Sequence, residues 1–345
     1  MNSLDELIAA AVGEEGGKKP RLAIAPCAER FVLRAALAAA QRGLVEPVFI
    51  GHRERACTLA ETLCPNFADF EFVDCADDVE AVTLAVDYFR TGRAQLVMKG
   101  LVPTATLLKA VLAKDAGLVA PGGILSLVSV FDAPAPPPRP GEDAPPQQPR
   151  LMLLTDAGVN IRPNLQRKAD IIKNALFVAR ALGIATPRVA ALAATEKVNF
   201  PAMPATLDAD LLSKMASDGV FGDALVAGPL ALDLAVSPRA ASLKGVENPV
   251  AGRADILVAP EIESGNILYK AITSFLGAPI ASVVVGSKVP VVLPSRGDSE
   301  RSKFASIALA AHLSKITGTG GAAAWPSGWR RPSRGQFRRG VQAPR

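Results

Sequence analysis

Aromatic side chains are scarce in this chain: Phe, Trp and Tyr make up 5% of its 345 residues. A core must therefore be built from Ala, Val, Leu and Ile, which suits buried parallel strands covered by Ala-rich helices. Histidine is scarcer still, and neither His52 nor His312 has a triad-like neighbour in sequence, so nothing sets up either as a general base. The four cysteines (Cys27, Cys57, Cys64, Cys75) lie in the first quarter and form no C-x-x-C pair. Zinc and disulfide readings are weak, and small buried thiols in a reducing compartment fit better. No apolar run is long enough to cross a bilayer, and residues 1–20 are acidic and Gly-rich rather than leader-like, so a soluble, cytoplasmic protein is expected. Neither a G-x-x-x-x-G-K-[ST] loop nor a strand-linked G-x-G-x-x-G occurs, which removes the usual ATP and dinucleotide cradles.

An even spread of positive charge is also missing. The formal net charge is +5, yet residues 319–345 hold Arg330, Arg331, Arg334, Arg338, Arg339 and Arg345 with no Asp or Glu, which accounts for the whole excess. The basicity belongs to a Gly/Pro/Arg-rich tail expected to be disordered. No nucleic-acid or membrane partner is implied for the rest.

What the sequence has in plenty is alternation. Strand-like runs at 21–25, 45–50, 70–73 and 94–98 are interleaved with helix-like stretches at 28–43 and 77–91. After a segment with eight prolines between 133 and 150, read as a surface loop at a hairpin tip, the pattern resumes. Strands are expected at 124–131, 151–155, 188–193, 254–258, 281–285 and 289–293, and helices at 164–182, 208–217, 265–276 and 299–316. Such order is what a parallel, doubly wound α/β sheet produces.

In open α/β sheets ligands collect beyond the carboxyl ends of strands, where helix N-termini offer free N–H groups to anions. Four strand ends qualify. After Val97-Met98 come Lys99 and Gly100, with Thr104 opening a helix. This set either brings an ammonium and a hydroxyl to a phosphate or leaves a strand-end lysine in solvent with Thr104 as a cap. After Leu153-Leu154-Thr155 come Asp156 and Asn160, each suited to orienting a substrate or to capping its own turn. After 254–259 come Glu261 and Glu263, then Gly265 and Asn266 at an expected helix start. The two carboxylates lack a third metal ligand. The last is Ser295-Arg296-Gly297-Asp298-Ser299, where Arg296 offers a planar fork for phosphoryl oxygens, Gly297 close approach, and Ser295 and Ser299 hydroxyls. Either Asp298 or Ser299 is expected to cap the following helix.

At these residues the chain resembles the phosphate acetyl/butyryltransferases. The likeness runs through most of residues 20–316. It is densest at 98–104, Thr155-Asp156-Ala157-Gly158-Val159-Asn160, Gly228-Pro229-Leu230-Ala231-Leu232-Asp233, Asn248-Pro249-Val250-Ala251-Gly252, 254–260, Ser264-Gly265-Asn266 and Ser295-Arg296-Gly297-Asp298-Ser299. The Lys99-Gly100 and Asp298-Ser299 versions look closer to the butyryl-type branch. The resemblance implies two doubly wound α/β domains with an interdomain cleft, of the isocitrate/isopropylmalate-dehydrogenase-like kind. Residues 1–130 and 286–318 would form a discontinuous first domain, 131–150 a Pro-rich loop, 151–285 the second domain and 319–345 the tail. It further implies a homodimer or larger homo-oligomer with no permanently bound cofactor and no metal, acting on acyl-CoA and phosphate by direct transfer. Ser295 and Arg296 would serve the reacting groups, and Lys99, Lys288 and Lys303 would draw in anionic substrates.

One departure stands out. The acetyl branch carries an Asp in the helix after Ser-Arg-Gly as base for the thiol, and Ser302 stands there in this chain. Asp298 is the substitute base; the other course is no base at all, since a thiol of pKa about 8.5 is already partly ionised near neutrality. The competing readings are a dehydrogenase on the same fold and a non-catalytic acyl-CoA-binding protein.

Overall fold

Strand β1 (Arg21–Ala25) is buried on both faces: Leu22 and Ile24 enter one core, Ala23 and Ala25 another. Side chains alternate across a strand, so a strand apolar at every position must lie inside a sheet covered on both sides. The computed structural model of the chain describes residues 1–12, 18–134, 149–295 and 297–317, and it contains such a sheet.

The other strands are β2 (Glu46–Gly51), β3 (Glu71–Asp74), β4 (Leu96–Lys99), β5 (Ser126–Ala133), β6 (Arg150–Thr155), β7 (Arg188–Leu192), β8 (Leu225–Leu230), β9 (Ile256–Val258), β10 (Ile280–Val285) and β11 (Val291–Val292). All join in the order β3-β2-β1-β4-β11-β10-β5-β6-β9-β7-β8. β3, β2, β1, β4 and β11 run parallel, as do β6, β9, β7 and β8. Between these blocks β10 and β5 are antiparallel to each other and to β11 and β6 respectively. Two doubly wound domains were expected. One continuous sheet is found, because β10 and β5 pair over six residues and leave no edge between the halves.

The helices are α1 (Leu4–Val12), α2 (Arg30–Gln41), α3 (Arg53–Ala60), α4 (Asp78–Arg90), α5 (Thr104–Leu112), α6 (Leu165–Ala181), α7 (Pro204–Ser217), α8 (Leu232–Val236), α9 (Pro238–Leu243), α10 (Ile262–Lys270) and α11 (Glu300–Thr317). α1, α2, α3, α6, α7 and α11 share one core on one face of the sheet. On the other face α4 and α5 cover the first parallel block, and α8 and α10 pack over the second.

Helix starts follow their capping residues. Asp77 accepts from the N–H of Val79 and Glu80 to open α4, and Asn164 accepts from Arg167 N–H to open α6. α7 begins four residues before the expected 208, since Pro204 is compatible with a first turn whose N–H groups need no partner. α1, α3, α8, α9 and β8 had no counterpart in the sequence reading. α1 is short, but Leu4, Leu7 and Ala11 are buried, and Lys315 of α11 donates to the Ala11 carbonyl at 2.6 Å. Tertiary burial, rather than local preference, holds such a nine-residue helix.

β5 and β6 pair antiparallel from Ser129↔Leu154 to Ala133↔Arg150, so residues 131–133 and 150 belong to strands rather than to the Pro-rich loop. Residues 135–148, most of that segment, lie outside the described residues, as does the tail from 318 onward. Cys27 and Cys75 are buried and Cys57 and Cys64 half-buried, all four as free thiols; burial pushes the Cys27 thiol up to about 12. His52 caps α3 through the Arg55 N–H, and His312 contacts the Ala181 carbonyl at 3.0 Å.

Candidate active site

Over β10 and β5, between the two parallel blocks, the described residues enclose a cleft of about 300 Å³. Leu127 of β5 and Ser282 of β10 contribute to it from the sheet. Lys99, Gly100, Leu101, Val102 and Thr104 line it from the β4–α5 turn, and Leu293, Pro294 and Ser295 from the end of β11. Ala157 and Gly158 after β6, and Asn266, Tyr269 and Lys270 of α10, add to the lining. Its charged members among the described residues are two lysines; no carboxylate and no histidine lines it.

The β4 turn is shaped by Gly100. A Cβ there would sit 1.6 Å from the Pro26 carbonyl oxygen, so only glycine allows the turn to lie this close to the end of β1. Lys99 is half-buried and folds back, donating to the carbonyls of Gly100 (3.1 Å) and Val102 (2.9 Å). Thr104 does not cap α5, as one sequence alternative had it. Pro103 holds that position and Thr104 is the first helical residue, lining the cleft.

After β6 the turn is closed on itself. Asp156 is 3% exposed and its carboxylate accepts from Gly158 N–H (2.9 Å), Val159 N–H (3.0 Å), Asn160 N–H (3.0 Å) and the Asn160 side chain (2.6 Å). Burial pushes its carboxyl above the ordinary range, and these four donors oppose that shift. The second Asn160 amide hydrogen goes to the Leu125 carbonyl at 2.8 Å. Of the two roles open to this pair, orienting substrate or capping, the structure commits both side chains to the turn, and neither lines the cleft.

The expectation of an anion site at the start of α10 is corrected. The helix begins at Ile262 rather than 265, and Glu261 caps it, accepting from Glu263 N–H (2.8 Å) and Ser264 N–H (2.9 Å). Burial works against the Glu261 charge, but these bonds prevail and hold the carboxyl down to about 2. Ile262 N–H is on the Ile161 carbonyl, so with these bonds the first turn has no N–H left for phosphate. Gly265 lies a turn into the helix with its N–H on the Glu261 carbonyl. A Cβ there would meet the Asp156 carbonyl oxygen at 2.6 Å, so this glycine serves packing. Asn266 does reach the cleft, donating to the Ala157 carbonyl at 3.2 Å.

The turn after β11 is held from outside. Asp298, 9% exposed, accepts from Ser295 N–H (2.8 Å) through one oxygen and from the Tyr269 hydroxyl (3.1 Å) through the other. Burial first, then the Asp298 charge, push the Tyr269 phenol well above its usual range, so it stays a donor. The Asp298 carboxylate therefore anchors the turn and does not line the cleft, which leaves it poorly placed to be the base. Ser299 is the helix cap: its hydroxyl accepts from Ser302 N–H at 3.1 Å. Ser302, buried, bonds Ser299 Oγ (2.9 Å) and accepts from Ile280 N–H (3.1 Å), fastening α11 to β10. A Cβ on exposed Gly297 would meet nothing within 4 Å. Arg296 lies outside the described residues.

Two other lysines are placed away from the cleft. Lys303 donates to the Asp298 carbonyl and sits 5.0 Å from the Phe31 ring, with burial lowering its ammonium. It lines a neighbouring hollow of about 290 Å³ with Arg30, Arg34 and Phe304; Phe31 borders both spaces. Lys288 is exposed beyond the β10 end, its backbone N–H on the Leu118 carbonyl.

A strand-end cleft that pairs lysines with a serine, and that no acidic side chain among the described residues lines, suits two anionic reactants. Comparison with known proteins agrees. A family model described as phosphate acetyl/butaryl transferase matches residues 75–311. The chain belongs to the phosphate acetyl/butyryltransferase family. It is 41% identical to a phosphate acetyltransferase of Thermotoga maritima, over 86% of this chain and 95% of the relative. It is 40% identical to a phosphate butyryltransferase of Clostridium acetobutylicum, over 90% and 98% of the two chains. Among solved structures, a branched-chain phosphotransacylase from Enterococcus faecalis superposes with a TM-score of 0.73 at 34% identity, covering 86% and 99%.

For a member of this family the sequence reading missed two cleft residues of α10, Tyr269 and Lys270. The signal was available: Asn266, Tyr269 and Lys270 stand at i, i+3 and i+4, one face of a helix. Lys270 lies 4.9 Å from the Tyr269 ring and donates to Ser295 Oγ at 3.4 Å.

Proposed function

We propose that the cleft exchanges a short acyl group between coenzyme A and inorganic phosphate (acyl-CoA + phosphate = acyl phosphate + CoA), with both substrates bound together and no acyl-enzyme. The observation that carries this reading is the meeting of Ser295, Lys99 and Lys270 in a strand-end cleft lined by no described carboxylate. Negative charge develops on the acyl carbonyl oxygen as phosphate or thiolate attacks, and such charge is stabilised by donors fixed in advance. Ser295 donates to the reacting group. Arg296, its neighbour in sequence, binds phosphate and takes up the developing charge. Holding two reactants in register lowers the barrier by roughly 7–11 kcal/mol, so the cleft's main task is positioning. Lys99, Thr104, Asn266 and Lys270 contact the substrates, Lys303 acts from the adjoining hollow, and Lys288 contributes only through the long-range field.

In this reading residues 1–130 with 286–318 and residues 151–285 act as two bodies on either side of the cleft, despite their shared sheet. The enzyme is taken to be cytoplasmic; no helix among the described residues is long and apolar enough to cross a membrane. It is also taken to be a homodimer or larger. Supporting that, Ile161, Phe200, Leu243, Ile267, Phe275 and Leu276, each more than 60% exposed, all belong to the second body. A dehydrogenase using a metal would need a set of clustered ligands, and no group of three His, Cys, Asp or Glu among the described residues is disposed to hold one.

Release of free thiol from acetyl-, propionyl- and butyryl-CoA, with and without phosphate, tests the proposal. Phosphate-dependent release is expected, and the order of initial rates assigns the acyl length, on which the named relatives divide. Release indifferent to phosphate, or none, would overturn the reading. Arg296→Ala is expected to lower turnover by about 100-fold or more at unchanged melting temperature.

A further inference from the structure

The reaction needs coenzyme A sulfur as a thiolate, whether as nucleophile or as leaving group. A carboxylate base would have to face the cleft, and among the described residues none does. Asp298 spends one oxygen on Ser295 N–H and the other on Tyr269 O–H. Ser302 is tied to Ile280 and Ser299. What the cleft does hold is the ammonium of Lys270, half-buried, set against the Tyr269 ring and donating one hydrogen to Ser295 Oγ. An ammonium has three donors and no lone pair. With Ser295 accepting one, two hydrogens remain for a substrate. A serine oxygen that accepts from Lys270 keeps its own hydrogen free to donate.

We propose that Lys270 is a catalytic residue that holds the coenzyme A sulfur as its thiolate, and that no carboxylate base operates in this cleft. The inference rests on the acyl-exchange reading above. From acyl phosphate, the thiol ionises and its proton passes to water. The thiolate attacks the carbonyl carbon and the C–S bond forms. The C–O bond to phosphate breaks with its electron pair on the phosphate oxygen, which is protonated by water. In the reverse direction phosphate oxygen attacks the thioester carbon, and sulfur departs with the C–S pair onto the Lys270 ammonium before taking a proton from water. The titratable groups around Lys270 are Lys99 from the β4 turn, Tyr269 on its own helix, and Asp298 behind that tyrosine, with Lys303 of α11 directed at the Asp298 carbonyl. Apart from Asp298, whose carboxylate is turned to its own loop, these favour an anion in the cleft.

The test is the pH dependence of thioester formation from acetyl or butyryl phosphate and coenzyme A, using the full chain. In the wild type the ascending limb should lie below the thiol's ordinary pKa of about 8.5. Lys270→Met should move it up toward that value, with a loss of about tenfold or more at neutral pH that recovers in alkali. Lys270→Arg keeps the charge and should keep the limb in place. Asp298→Asn should lower the rate without moving the limb. The proposal is overturned if Lys270→Met retains the wild-type limb, if Lys270→Arg shifts toward 8.5, or if Asp298→Asn abolishes the limb. A wild-type chain without phosphate-dependent thiol release would instead fail the parent reading, before any variant is compared.

Discussion

The two turns that flank the cleft begin alike and end differently. Each leaves an apolar strand, and each carries a buried Asp that accepts main-chain N–H groups. After β6, Asp156 takes all four of its donors from residues 158–160, so the turn is complete within five residues. After β11, Asp298 takes one donor from its own turn and the other from Tyr269, which lies 29 residues earlier on α10. The first carboxylate is satisfied wholly from within its turn, although Asn160 and Asn266 add bonds that tie the turn to the Leu125 carbonyl and to α10. The second has its geometry set by a distant helix, and that helix also delivers Lys270 to Ser295. The reactive side of the cleft is thus the side whose carboxylate takes a donor from a distant helix.

Breaking the self-contained turn should cost the most stability. Asp156→Ala leaves three backbone donors and the Asn160 amide without their acceptor, a loss of about 3 kcal/mol or more, seen as a lowered denaturant midpoint. A loss below about 1 kcal/mol would mean that the turn does not need its carboxylate. Asp298→Asn should invert the balance, with roughly 1–2 kcal/mol of stability lost but turnover down about 100-fold, because Ser295 loses its anchor. Equal effects from the two substitutions would erase the distinction between scaffold and reactive turn. Tyr269→Phe removes the connecting hydroxyl alone, and should cost about 1 kcal/mol with a rate loss near tenfold. The smallest effect concerns the cap of the helix that links the sides. Glu261 is held down to about 2 in the fold against an ordinary value of about 4.3. Its contribution is therefore complete above that ordinary value and lost as pH falls toward 2. Melting temperatures of wild type and Glu261→Gln should differ modestly at pH 6 and converge near pH 2; a constant gap would show that the charge is not what caps α10.

Much of the fold was legible because its signals are local. Both-face burial in β1, β2, β4 and β6, the caps Asp77 and Asn164, and the glycine after α6 placed most strands and long helices within two or three residues. The helix bearing the site was misplaced because Glu261 at a cap is an unusual choice, and Gly265 was taken for an anion cradle when its missing side chain makes room for the Asp156 carbonyl. α1 escaped notice although Ser3 and Glu6 form a capping pair ahead of an apolar run, because the segment was weighed only as acidic and Gly-rich.

The site divided in the same manner. Ser295, Lys99, Thr104 and Asn266 could be picked out as polar residues at strand ends or on the next helix, and they do line the cleft. The fates of Asp156, Asn160, Asp298 and Ser299 could not, because whether a carboxylate or hydroxyl faces a substrate or its own backbone depends on which donors lie within about 3 Å. The sequence by itself determined an α/β chain of buried parallel strands and the strand ends where anions collect, which follow from periodicity and local order, and its ordered motifs carried the resemblance to the family. Only the tertiary structure decided that the two halves share one sheet, that the described cleft residues present lysine and serine without acid, and that Lys270 meets Ser295. Those facts depend on residues far apart in the chain being brought within bonding distance, and no local pattern records that.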